Sequence, residues 1–505
     1  MQYKKNILTS GNPSTVSLVY LLLTISGLSF CFFLGFPFNN HNESFIWVVT
    51  LNKISLWDAL SKQVIGGVES FRPLGMANAW LSYKISGNIF LQEILNWLFA
   101  ISSFALLYTV VKNKVLFAIL AFLTCACFFA GYIYLFHLHG VFYGPFQLYV
   151  ALLACVAVKK NRLSVKMLAL TSAATIIACL YHTFALLVFC AFLAGYIIQL
   201  LKKGTRKELV WLIVTLLLTL AAAKLILQTK QMKTMAELAD GLLTSFKMME
   251  INRALSAAAV VLATLAGLSL AKTRRDKIIT ATAVLLLSAL LIYLQIPVLP
   301  LWVIICAVKM LLEKNWVMAG LIAAAAILPV GSSSGSPTYL VFVLMICAFV
   351  TAADELYIKD TRVLRGLTIF LLVTLAVCLA AVKKHVPVPV ASSIVRPVLA
   401  EQEKTKQLQH IVEWKIKNKE YASSGLYFYD GGGLPVNAEN AVNRVNRPVT
   451  DQAGLNEYLD FLMPGAPNSG KADILYITFG NKLLQDKQLV FSVNGPWNGN
   501  ANVFR

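Results

Sequence analysis

Charged residues make up only 13% of this 505-residue chain, so the groups able to do chemistry are few and easily placed. The segment Asn39-Asn40-His41-Asn42-Glu43-Ser44 sets a lone carboxylate just after a long apolar run. A carboxylate held against a hydroxyl is a general base: it takes the proton as the oxygen attacks an electrophile. Asp58, Glu69 and Arg72 follow in the same polar stretch, and His137, His139 and His182 stand at the ends of later apolar runs. Arg72, Arg253, Lys224 and Lys230 are the cationic candidates. His137 and His139 have no third ligand beside them. Zinc sites need about three protein ligands with recognisable spacing, so these histidines are read as hydrogen-bonding groups for a polar substrate. All nine cysteines lie inside apolar runs, and Cys125 and Cys127, two apart, point to different helix faces. They are read as inert core thiols.

The elements that must position these groups are membrane helices. Hydrophobic residues are 58% of the chain, whereas an ordinary soluble domain carries roughly 25% charged residues. A bilayer core of about 30 Å takes about 17–25 helical residues per crossing, and only a helix or a closed barrel satisfies its own backbone there. Apolar runs recur at about 16–36, 91–111, 115–136, 141–158, 167–182, 184–201, 209–228, 253–271, 278–296, 298–312, 316–330, 339–353 and 366–382, thirteen in all. The tight junctions at His182 and Pro297 admit half-spans or hairpins as well as full crossings.

The net charge of +20 falls in clusters between the runs: Lys4-Lys5, Lys112/Lys114, Lys159-Lys160/Arg162/Lys166, Lys202-Lys203/Arg206-Lys207, Lys272/Arg274-Arg275/Lys277, Lys309/Lys314 and Lys359/Arg362/Arg365. Alternation with charge-poor connections is the positive-inside pattern. A nucleic-acid footprint would gather on one face, so no nucleic-acid partner is expected. The pattern puts the N-terminus in the cytoplasm and makes 37–90 and 228–253 long outer loops, the first with amphipathic pieces at Ile46–Leu51 and Met76–Tyr83. Residues 1–385 are then a transmembrane domain of about thirteen helices.

From about Val386 the composition turns polar, and 386–505 reads as a small soluble α/β domain outside the membrane. Helices are expected over Glu401–Tyr421 and Asp451–Met463, with strands at Leu426–Tyr429, Ile474–Phe479 and Leu489–Val493. Gly431-Gly432-Gly433 lacks the lysine of a phosphate loop and reads as a turn.

Two stretches carry a family resemblance. Asn39 to Phe45 places an acid just after the first span, and Ser70-Phe71-Arg72-Pro73-Leu74 is similar to an aromatic-Arg-Pro-Leu element further along the same loop. With the long first outer loop and the terminal outer domain, the chain resembles the GT-C superfamily of integral-membrane glycosyltransferases, of bacterial type. The resemblance implies a polyprenyl-phosphate-linked sugar as donor and hexosyl or pentosyl transfer to a glycan, lipid or protein acceptor on the outer face. It implies Glu43 as the catalytic acid, with Arg72, Glu69, His137, His139, His182, Lys224, Lys230 and Arg253 about the substrate. Many relatives pair two acids where this chain has asparagines beside Glu43, which points to a metal-independent reaction with no cofactor. It also implies a bacterial inner membrane. The alternatives are an O-antigen-type polymerase or ligase, whose large loop comes late among the spans, and a transporter or flippase of lipid-linked saccharides. Internal repeats and mid-span charges mark many transporters. No repeat is present, and few charges fall inside the runs.

Overall fold

The computed structural model describes residues 22, 25, 29, 55–61, 72–86, 90–128, 140–159, 164–203, 206–226, 243–250 except 248, 253–328 except 272, and 339–353; in the C-terminal part it describes positions within 403–428, then 474–478 and positions within 483–505. Two short helices come first, α1 (Leu56–Ser61) and α2 (Pro73–Ser86). Eleven apolar helices follow: α3 (Phe90–Val110), α4 (Lys114–Cys127), α5 (Gly140–Lys159), α6 (Val165–Tyr181), α7 (Ala185–Lys203), α8 (Arg206–Ile226), α9 (Arg253–Leu270), α10 (Arg274–Tyr293), α11 (Leu299–Leu312), α12 (Trp316–Ile327) and α13 (Leu340–Ala352). Each overlaps one of the expected apolar runs, but α4 closes at Cys127 with its cap at Phe128, well short of the expected end at 136. By length and composition, the stretches Leu91–Val110, Val141–Val158 and Arg274–Tyr293 are long and apolar enough to cross a membrane; eight more apolar helices are shorter. Of the run at 16–36 only Leu22, Ile25 and Ser29 are described, all three helical; the run at 366–382, the first loop around Glu43 and Glu69, and the second loop at Lys230 lie outside the described residues.

α13 is the axis of the array. Every residue from Leu340 to Ala352 is buried, and a helix that is apolar all round is one enclosed by others. Phe349 meets the edge of Phe117 on α4, and Phe342 meets Phe146 on α5 at 4.9 Å. α11 crosses α13 deep along its length, where Trp302 Nε1 donates to Thr351 Oγ1 and Lys309 Nζ donates to the Val350 carbonyl. α10 is the opposite case, with only Val284 and Ser288 buried among twenty residues. Such an apolar, outward surface belongs in lipid.

Where lipid surrounds helices, burial gives little drive for them to associate, and close backbone packing of small residues takes its place. α7 and α12 show it: a Cβ on Gly195 would lie 2.8 Å from the Trp316 carbonyl oxygen, and one on Gly320 2.8 Å from that of Ala191. The pairing also sets direction, since Gly195 faces Val317 while Ala191 faces Gly320, so the helices run antiparallel.

The helices that begin beside basic residues cap themselves. Asn113 accepts from Leu116 N–H, Ser164 from Met167 N–H and Asn315 from Met318 N–H, while Thr273 and Asp276 form a reciprocal capping box. Each such cap satisfies one of the four orphan N–H groups of a helix start. The start of α4 sits at the C-terminal end of α13, where Asn113 N–H donates to the Ala352 carbonyl at 3.2 Å. α11 has no side-chain cap of its own; Glu250 supplies one from a distance, its Oε2 accepting from Val298 N–H at 2.8 Å and Leu299 N–H at 2.9 Å.

In the C-terminal part four strands, β1 (Gly425–Phe428), β2 (Ile474–Thr478), β3 (Leu489–Val493) and β4 (Ala501–Phe504), form one sheet in the order β1-β2-β4-β3. β1 and β2 are parallel; β2 and β3 both pair antiparallel with β4. Helical residues within 403–417 lie on it, with Ile411 packed among Leu475, Ile477, Ala501 and Val503. Three of the strands match the sequence expectation; β4, with Asn502 at its second position, has too weak an alternation to be seen beforehand. The expected helix at 451–463 and the Gly431–Gly433 turn lie outside the described residues.

Replacing Gly320 by Val forces α7 and α12 apart. Overpacking of this kind costs roughly 1–3 kcal/mol, so the purified variant should melt several degrees lower in detergent, while Ala319→Val, one residue away and half-buried, should change the midpoint far less. Equal melting of the two variants would contradict the close contact.

Candidate functional site: a donor cluster at the start of the central helix

Tyr339, at the N-terminal end of α13, is the meeting point of four elements. Tyr143 from the first turn of α5 directs its hydroxyl at that of Tyr339, 3.4 Å away. His182, the residue that closes α6, brings Nε2 to 3.3 Å from the same oxygen. Arg72, immediately ahead of α2, lies 4.8 Å over the ring of Phe142 and sets its positive charge near Tyr339. Each position follows from local structure. Pro73 is favoured in the first turn of a helix because its missing N–H has no partner there in any case, and it starts α2 immediately after Arg72. His182 breaks α6 by turning to extended backbone, its own N–H still bonded to the Ala178 carbonyl. Gly75 lets α2 close on Phe142, since any Cβ there would strike the phenylalanine ring.

The tautomer of His182 follows from its neighbours. Nδ1 accepts the backbone N–H of Phe184 at 3.3 Å, so in the neutral imidazole Nε2 carries the hydrogen and donates to Tyr339. Aromatic rings fix the imidazole: Phe146 stacks on it at 5.1 Å, with Phe184 at 5.0 Å, Tyr143 at 5.3 Å and Tyr339 at 5.7 Å. His182 is fully buried and Arg72 half-buried.

The imidazole N–H and the second phenol match the two lone pairs of the Tyr339 oxygen, at separations of 3.3 and 3.4 Å that are long against the usual 2.7–3.2 Å or so. Tyr339 itself makes no side-chain cap bond to the start of α13. Donors and a guanidinium near a helix N-terminus are the surroundings an anion favours. Among the described residues no group of three or more histidines, cysteines or acids could hold a metal ion.

Of the residues singled out from sequence, Arg72 and His182 come together here through Tyr339. Arg253 opens α9 and is exposed. Lys224 lies in the last turn of α8. Glu43, Glu69, His137, His139 and Lys230 lie outside the described residues. Sequence reasoning missed Tyr143 and Tyr339. Tyr143 and Tyr339 each stand near the start of an apolar run, 141–158 and 339–353, and a phenol in that place is the signal they give. Sequence reasoning also passed over Glu93, buried near the start of α3. No protein-family model matches the chain, and no curated protein is significantly similar to it.

Arg72→Ala should weaken binding of a short-chain polyprenyl phosphate by roughly tenfold or more, the loss appropriate to a hydrogen bond from a charged group. Tyr339→Phe should weaken it less, because the surrounding donors remain. Native mass spectrometry of purified protein titrated with the lipid reads both, and equal affinity of wild type and Arg72→Ala would remove the cluster as a phosphate site.

Proposed function

We propose that this chain is a bacterial inner-membrane glycosyltransferase of GT-C type, moving a sugar from a polyprenyl-phosphate donor to a glycan, lipid or protein acceptor on the outer face. The observation that carries this reading is the convergence of Arg72, Tyr143, His182 and Tyr339 on one point at the uncapped start of α13. A leaving phosphate needs such a set, since fixed donors aimed at developing negative charge stabilise it with little reorganisation.

In this reading about thirteen spans run from a cytoplasmic N-terminus to an outer α/β domain over 386–505. Support comes from the basic clusters at the self-capped helix starts and from the placement of the donor cluster away from them: Asn113 lies at the opposite end of α13 from Tyr339. α6 also runs from its cap at Ser164 toward the cluster, ending at His182. The four-stranded sheet supports an independent C-terminal unit.

The reaction needs no metal. Glu43 takes the proton of an acceptor hydroxyl while that oxygen bonds to the anomeric carbon. The bond from that carbon to the phosphate oxygen breaks, and the phosphate leaves with its electron pair toward Arg72 and the Tyr339 hydroxyl. His182 holds Tyr339 and donates through Nε2.

Glu43→Gln keeps size and hydrogen bonding but removes the base. With radiolabelled polyprenyl-phosphate sugars and acceptor membranes from a host lacking the gene, the variant should bind donor as wild type does and lose transfer by roughly a hundredfold or more. Undiminished transfer would shift the base to another acid of the first loop. Absence of transfer by wild type with every donor would overturn the transferase reading.

A further inference from the structure

Glu93 is 2% exposed in the first turn of α3, and neither of its carboxylate oxygens has a hydrogen-bond partner among the described residues. That is unusual company for a helix apolar enough to cross a membrane. Ionisable groups there are costly and mark substrate or ion paths. Its neighbours on the helix are provided for. Ser82 on α2 donates to Gln92 Oε1 at 3.0 Å, and Gln92 Nε2 donates to Asn96 Oδ1 at 2.8 Å. Gln92, Glu93 and Asn96 are all buried. The first two turns of α3 therefore hold a polar patch whose one unmet demand is for hydrogen-bond donors.

A structural role is poorly served by this arrangement. Glu250, a half-buried acid, uses one oxygen to cap α11, whereas Glu93 caps nothing among the described residues. A divalent cation is equally poorly served, because the companions of Glu93 are neutral amides and a hydroxyl, and no second acid or histidine joins it in a metal-sized group among the described residues. Amides and a carboxylate in a row suit hydroxyl groups, which donate to the acid and exchange bonds with the amides.

α2 relates this patch to the donor cluster. Arg72 stands at its start and Ser82 ten residues on, on the order of 15 Å along the helix. That is farther than one sugar ring extends from its own phosphate. Resting on the transferase reading above, we infer that the donor carries more than one sugar on its polyprenyl carrier, and that Gln92, Glu93 and Asn96 form a carbohydrate subsite for hydroxyls of the ring beyond the one attached to the phosphate, with Glu93 accepting from them.

Dicyclohexylcarbodiimide, an apolar reagent that attacks carboxyl groups in apolar surroundings, tests this on the full-length protein in detergent. The probes are polyprenyl phosphate and a polyprenyl-diphosphate disaccharide, and the readout is modification of the Glu93 peptide by mass spectrometry. Glu93 should be modified in free protein and protected by the disaccharide lipid but not by polyprenyl phosphate. Arg72→Ala should lose the protection. Glu93→Gln, checked for folding by its melting curve, should bind polyprenyl phosphate as wild type does and the disaccharide lipid roughly tenfold more weakly. If both lipids bind in an Arg72-dependent manner and modification proceeds equally with either, the subsite is wrong while the phosphate site stands. If neither lipid binds, the transferase reading falls and the subsite with it. A Glu93 that resists the reagent in folded protein also overturns the subsite, since a place closed to a small carbodiimide is closed to a sugar.

Discussion

The Tyr339 hydroxyl at the start of α13 is the point on which much of the described helical array converges. α5 brings Tyr143, the break between α6 and α7 brings His182 and the Phe184 N–H, and α2 brings Arg72. α13 itself is enclosed on every side, which holds its uncapped end in a fixed position.

The capping of the helices divides the work between the two ends of the array. Four helices that begin among lysines and arginines carry Asn, Ser or Thr in the cap position and close their own backbone. α13 starts at the other end with a tyrosine whose side chain is turned to its neighbours instead. α2 then links the donor cluster to the acceptor-rich patch on α3, through Phe142 at one end and the Ser82–Gln92 bond at the other. A sugar phosphate asks for both: donors for its phosphate and acceptors for its hydroxyls.

Much of the helical plan was legible in the sequence because one force dominates it. Apolar runs must become helices in lipid, and, the end of α4 apart, their edges fall within a few residues of the observed ones; the expected run 184–201 became Ala185–Lys203 and 253–271 became Arg253–Leu270. Arg72 and His182 were legible for the same reason, since a cation before Pro73 and a histidine between two apolar runs both stand out. Tyr143, Tyr339 and Glu93 were not. A tyrosine at a helix start reads as an interfacial ring whether or not its hydroxyl is a hub, and only tertiary packing reveals which hydroxyl collects the others. Glu93 was hidden by its neighbours: Gln92 and Asn96 made the beginning of the run look like a polar loop edge, whereas α2 folds over it and buries all three.

The central proposal is that the cluster around Tyr339 is a phosphate site, and a cryo-EM structure of the full chain with bound polyprenyl phosphate measures it most directly. The account predicts phosphate density within hydrogen-bonding distance of the Arg72 guanidinium and the Tyr339 hydroxyl, with the Tyr143 and His182 contacts to Tyr339 rearranged about it. Phosphate density elsewhere, with those four side chains still bonded only to one another, would contradict it.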